Sequence, residues 1–143
     1  MITNRTLPET LLLSLVLILL PPLLGAAHAN DNEISQRELL QRLDQNEALV
    51  IIDVRRPDEF AAGHVPGATN IPHTEIAARL NELGGDKHKE LVVYCESGRR
   101  AAIAQGILQQ AGFTNVRHLE GDMQSWRKRG LPQVETQPPS RVD

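Results

Sequence analysis

Apolar residues are spread along this chain in two different ways. Leu11 to Leu20 is an apolar run interrupted only by Ser14 and closed by Pro21 and Pro22. Arg5 gives a short positive start ahead of it, and Ala27-His28-Ala29 follows with small residues where a signal peptidase reads. This three-part layout predicts a cleaved secretory leader over 1–29. The run is far shorter than the roughly 20 apolar residues that span a bilayer, and the two prolines interrupt any longer helix.

Between Glu33 and Pro132 the apolar positions become periodic, and strand patterns alternate with helix patterns. Ser35 followed by Glu38 is a capping-box pattern opening a helix with Leu39, Leu40 and Leu43 on its apolar face. Ala48 to Val54 is an apolar run rich in branched residues, as in a strand buried on both faces. Ala68 to Ile71 reads as a second strand, stopped by Pro72, and Thr74 is expected to cap a helix through Ile76, Ala77, Leu80 and Leu83 to Gly84-Gly85. Leu91 to Tyr94 is the next strand. A helix follows over Ala101 to Ala111, with Gly112 where a left-handed C-terminal residue is wanted. Val116 to Leu119 is a further strand, and Met123 to Arg129 a short helix stopped by Gly130 and Pro132. This alternation predicts one α/β domain over 33–132, with a central, mostly parallel sheet flanked by helices. Residues 133–143 are polar with little to bury and are expected to form a flexible tail.

Composition narrows the function. The net charge is −3 and acidic and basic residues are mixed without blocks, so no basic face suggests nucleic acid. Once the leader is removed, nothing in the pattern calls for a membrane. The five histidines are scattered without metal-ligand spacing, so no metal is expected, and no pattern calls for a cofactor. The single cysteine, Cys95, rules out an intramolecular disulfide. An unpaired thiol in an oxidising compartment is a liability unless it is buried or used.

Its surroundings point to use. Cys95 follows the strand Leu91 to Tyr94 directly, and Glu96, Ser97, Gly98, Arg99 and Arg100 lead into the next helix. Ligand sites in open α/β sheets lie at the carboxyl ends of strands. A loop feeding a helix N-terminus presents unpaired N–H groups and the positive end of the helix dipole, a setting that binds anions and favours thiolate over thiol. Gly98 lets the backbone fold tightly, while Arg99 and Arg100 add fixed positive charge. A buried cysteine at a strand end could be mere packing, but a glycine and two arginines within five residues make that reading the weaker one.

This loop, with Asp53-Val54-Arg55, Glu59-Phe60, Gly63-His64-Val65-Pro66-Gly67-Ala68 and Trp126 followed by Gly130 and Pro132, resembles the rhodanese superfamily. The blocks fall in the family's order across nearly the whole domain, and the chain looks most like the small exported single-domain thiosulfate sulfurtransferases of bacteria. The resemblance implies a double displacement. Cys95 takes the outer sulfur of thiosulfate as a persulfide, and a thiophilic acceptor such as cyanide or a small thiol removes it. Glu96 to Arg100 would hold the persulfide through backbone N–H groups, and Arg99 or Arg100 would dock the sulfonate oxygens. The partners implied are small sulfur donors and acceptors, with a thiol-bearing partner protein as a further acceptor.

Asp53 and Arg55 read as a structural pair, although a catalytic carboxylate at a strand end remains open. His64 reads as part of a turn and Trp126 as a packing residue. One departure stands out: Gly121-Asp122 occupies a place where the family often has Gly-Gly, in a turn remote in sequence from the loop. Cysteine phosphatases and arsenate reductases of related fold are the rival enzymes. The phosphatase type needs Arg six positions after the cysteine, where this chain has Ala101. A non-enzymatic module that carries persulfide to, or binds, a partner protein shares the loop and differs only in turnover and acceptor. The expected location is the periplasm, or the medium, after cleavage near Ala29.

Overall fold

The computed structural model describes residues 31–136 together with Met1. The expected leader and most of the expected tail lie outside the described residues. Five parallel strands form one sheet in the order β1-β5-β4-β2-β3. They are β1 (Glu33–Ile34), β2 (Val50–Asp53), β3 (Ala68–Asn70), β4 (Leu91–Tyr94) and β5 (Val116–Leu119). The helices are α1 (Gln36–Asp44), α2 (Pro57–Ala61), α3 (Arg99–Gln110) and α4 (Asp122–Lys128).

Two of the three inner strands, β2 and β4, lack a polar face because both sides of the sheet are covered there. Ile52, Val93 and Cys95 pack with Ala101, Ala104, Leu108 and Phe113 on the α3 side. Ile51, Val92 and Tyr94 pack with Leu39, Met123 and Trp126 on the side of α1 and α4. This is why those segments read as continuous apolar runs rather than alternating ones. The Ser35 hydroxyl caps α1 by accepting the Glu38 N–H at 3.1 Å, as expected. The Glu38 carboxylate does not close the reciprocal bond. It is drawn instead to Arg117 on β5.

Two expectations are corrected and one element is added. The segment after Thr74 is not an α-helix but two short 3-10 helices, Ile76–Ala78 and Leu80–Leu83. Only Ile76 and Leu83 are buried there, too narrow a stripe to hold an α-helix against the sheet. Helix α2 was not anticipated: it is five residues long and buries none of them, so it carries no apolar period to read. The domain also extends past Pro132. Val134 and His64 exchange N–H···O bonds of 2.9 Å, and the Thr136 N–H reaches the Ala61 carbonyl. Residues 133–136 therefore close over the domain instead of leaving it. Gly112, with φ of 93°, does end α3 as expected.

Candidate active site

Strand β4 lies at the centre of the sheet, and Cys95 is the first residue beyond its carboxyl end. The chain then turns through Glu96, Ser97 and Gly98 into α3, whose N-terminus faces back toward the sulfur. Gly98 makes that turn in the left-handed region, at φ 99°, and points its N–H at Cys95 Sγ, 3.1 Å away. A side chain at this position would be strained by the backbone and crowded besides. Its Cβ would stand 3.0 Å from the Asp122 carboxylate and 3.3 Å from His118 Cε1. The N–H groups of Glu96, Ser97, Arg99 and Arg100 find no acceptor among the described residues. The Gly98 N–H is thus the donor on the sulfur, and four further N–H groups of the same turn are free for an anion.

The back of this cradle is tied to α4. The Met123 N–H donates to the Cys95 carbonyl and the Gln124 N–H to the Glu96 carbonyl, both at 3.0 Å. The Cys95 N–H donates to Asp122 Oδ1 at 2.8 Å. The turn at Gly121-Asp122, remote in sequence from the loop, is therefore in contact with it. His118 Nε2 in turn lies 3.0 Å from both Asp122 carboxylate oxygens.

The two arginines part company. Arg100 makes a double hydrogen bond with Glu59, at 2.7 and 2.9 Å, and that carboxylate, with a smaller contribution from Cys95, pushes the guanidinium further into its charged form. Arg99 is exposed and makes no hydrogen bond or ion pair among the described residues. Of the pair, Arg99 is the one left to meet an incoming oxyanion.

The hydrogen bonds from Arg100 bring Glu59 down to about 2, against an ordinary 4.5. A depressed carboxylate stabilises the fold fully above its unfolded value and loses that contribution as pH falls through the folded one. Glu59→Gln is therefore expected to cost on the order of 2 kcal/mol at pH 7. The gap from the unsubstituted protein should close between pH 4.5 and about 2. Urea unfolding across that range checks it, and a gap that stays constant with pH contradicts the pairing.

Asp53 and Arg55 form the buried pair expected of them, 0% and 2% exposed. The Arg55 guanidinium donates to both Asp53 oxygens, at 2.7 to 3.1 Å, and to the Gly63 carbonyl at 2.7 Å. Burial works against the Arg55 charge, but Asp53 more than offsets it and the guanidinium sits above its ordinary range. Its remaining nitrogen lies 3.5 Å from Glu96 in the loop, and Glu96 also pairs with Arg127. The Asp53 carboxylate is taken up by the Arg55 guanidinium and backbone N–H. His64 stacks on Phe60 with ring centroids 3.6 Å apart. Trp126 is wholly buried and donates Nε1–H to the Pro132 carbonyl. Both are packing residues.

An open cavity of about 410 Å³ lies beside the loop, lined by Arg55, Glu59, Gly63, Glu96, Arg127 and Gln133. Cys95 does not line it and is only 1% exposed. The residues that sequence reasoning missed are Glu59 as the Arg100 partner, and Asp122 with His118 behind the loop. For Asp122 a signal existed, since it replaces a glycine in the family pattern. Among the described residues no cluster of metal-ligating side chains occurs, and no helix is long and apolar enough to cross a membrane.

A lone cysteine at the carboxyl end of a parallel sheet, accepting an N–H from the turn that opens a helix, defines a class of site, and comparison with known proteins gives the family. The rhodanese-like domain model matches residues 35–129. A sulfurtransferase of Allochromatium vinosum is 38% identical over 103 residues, covering 72% of this chain and 94% of that one. A putative sulfur carrier protein of Bacillus subtilis, YrkF, is 35% identical over 71% of this chain and 57% of its own length. The human single domain sulfurtransferase TSTD1 superposes with a TM-score of 0.62 at 29% identity, covering 68% of this chain and 96% of that one. The chain belongs to the rhodanese-like family, among its sulfurtransferases.

Proposed function

We propose that this protein moves a sulfane sulfur from thiosulfate to a thiophilic acceptor through a persulfide on Cys95. The observation that carries the reading is the Gly98 N–H on Cys95 Sγ, together with the unpartnered loop N–H groups around it. The Cys95 thiolate attacks the outer sulfur of thiosulfate. A sulfur–sulfur bond forms at Cys95, the original one breaks, and sulfite leaves with its electron pair. The new terminal sulfur carries the negative charge into the donor ring, which is built to receive it. Cyanide or a thiolate then attacks that terminal sulfur, and the Cys95 thiolate is restored as leaving group.

A loop of six residues from Cys95 to Arg100 surrounds a single sulfur, and Arg100 is already engaged by Glu59, so neither supplies the wider anion cradle of a phosphatase. We further propose export, with cleavage near Ala29, on the layout of residues 1–29. The burial of Cys95 suits a lone thiol kept functional in an oxidising compartment.

The name of the relative YrkF raises a second reading, in which the persulfide is handed to one protein partner without turnover. Sulfite release from thiosulfate in excess cyanide separates the two. Steady release over many equivalents supports the enzyme. Release that stops at one equivalent per protein overturns it in favour of the carrier. The same assay tests Arg99. Arg99→Ala is expected to raise KM for thiosulfate about tenfold, the worth of one charge-assisted contact, with kcat changed less. An unchanged KM removes Arg99 from donor binding.

A further inference from the structure

Asp122 does more than fill a turn. It is one of two non-glycine residues in the described chain with positive φ, at 51°. A backbone strained in this way persists only where its surroundings over-determine it. Its carboxylate is 6% exposed, in contact with the Cys95 N–H on one side and with His118 on the other. It also stands 3.0 Å from where a Cβ of Gly98 would be, and the His118 ring stands 3.3 Å from the same point. One carboxylate–imidazole pair therefore touches both ends of the segment that holds the sulfur. A lone carboxylate there would be costly, because the cradle exists to receive an anion and a second negative charge beneath it works against that.

We propose that Asp122 and His118 form a charge-compensated positioning pair for the catalytic loop, in which Asp122 fixes Cys95 through its backbone N–H and His118 cancels the carboxylate charge. This rests on Cys95 being the reacting sulfur, and it names a device that sets how readily that sulfur ionises. His118 lies on β5. Asp122 faces it from α4, Glu33 acts on it from β1, and the loop presents the uncharged Gly98. Hydrogen bonding to Asp122 foremost holds the imidazole above its usual value, although burial works the other way. With His118 protonated, the imidazolium offsets the Asp122 charge. As pH rises and His118 loses its proton, the Asp122 carboxylate is left uncompensated beside the thiol. Asp122 and His118 touch neither substrate nor the sulfur and act through Cys95, so they are positioning residues.

The test is the rate at which Cys95 reacts with iodoacetamide, an uncharged reagent, in the unsubstituted protein, His118→Gln, Asp122→Asn and the double variant. His118→Gln leaves the carboxylate bare. At a pH where His118 carries its proton, it is expected to slow alkylation by about three- to tenfold, because the thiolate fraction falls about tenfold for each unit the thiol rises. In the Asp122→Asn background the same substitution should have no further effect, since no charge remains to compensate. Equal effects of His118→Gln in both backgrounds would reduce the pair to packing and overturn the proposal. If a variant melts below the assay temperature, the imidazole titration of His118 is followed by NMR in the unsubstituted protein, with Cys95 free and with Cys95 alkylated. Linkage requires His118 to titrate lower once the thiolate is blocked, and identical titrations overturn the proposal. Alkylation reports the thiol whether or not thiosulfate is the donor, so failure of the pair stays distinct from failure of the sulfurtransferase reading.

Discussion

Cys95→Ser is expected to lower sulfur transfer by at least about a thousandfold, the scale of losing a covalent nucleophile. The chain has no other cysteine, so no second thiol can accept the sulfur. A serine oxygen is a poor nucleophile toward sulfur without a neighbouring base. The carboxylate nearest the loop backbone, Asp122, accepts the Cys95 N–H and faces His118 rather than the side chain at 95. The fold should hardly notice the change. Oγ can still accept the Gly98 N–H, and the ties from Met123 and Gln124 to the loop carbonyls are untouched. A stability change under about 1 kcal/mol is expected. Steady-state sulfite release beside a urea unfolding curve checks both halves. More than a few per cent residual turnover in a folded Cys95→Ser protein removes Cys95 as the carrier.

The largest effect on stability is expected from Asp53→Ala. It strips a buried guanidinium of its carboxylate, and removing one partner of a buried pair costs about 3–5 kcal/mol. The loss takes with it the Asp53 acceptor for the Arg55 backbone N–H. Glu96 gives no full replacement: it sits 3.5 Å away, is partly exposed, and also pairs with Arg127. Because a domain is typically stable by only about 5–15 kcal/mol, the variant should unfold at much lower urea. Asp53→Ala/Arg55→Leu should recover part of the loss by removing the stranded charge along with its partner. A double variant no more stable than Asp53→Ala alone would mean that Asp53 acts through something other than Arg55.

The pattern of what could be read from the sequence follows from distance along the chain. Strand β4, Cys95, the Gly98 turn and α3 are consecutive, so their chemistry lies in one stretch and the cradle was legible. The sheet could be read too, because β2 and β4 are apolar on both faces and only a covered parallel sheet demands that. What joins distant segments could not. Arg100 meets Glu59 from 41 positions away, and Cys95 meets Asp122 from 27. The two arginines of the loop look alike in sequence, and only the Glu59 pairing shows that one is spoken for. Helix α2 and the 3-10 helices after Pro72 bury too few side chains to leave a period, so local pattern either missed or misnamed them. The turn at Gly121-Asp122 is the instructive case: a departure from the family pattern was visible, but its contact with Cys95 appears only when α4 folds back against the loop.

The most direct measurement is the intact mass of the reduced protein before and after incubation with thiosulfate. A gain of one sulfur atom, removed by cyanide and absent from Cys95→Ser, is the expected result and places the persulfide on Cys95. No gain in mass, from a protein whose thiol is first shown to be free and reduced, contradicts sulfur loading from thiosulfate.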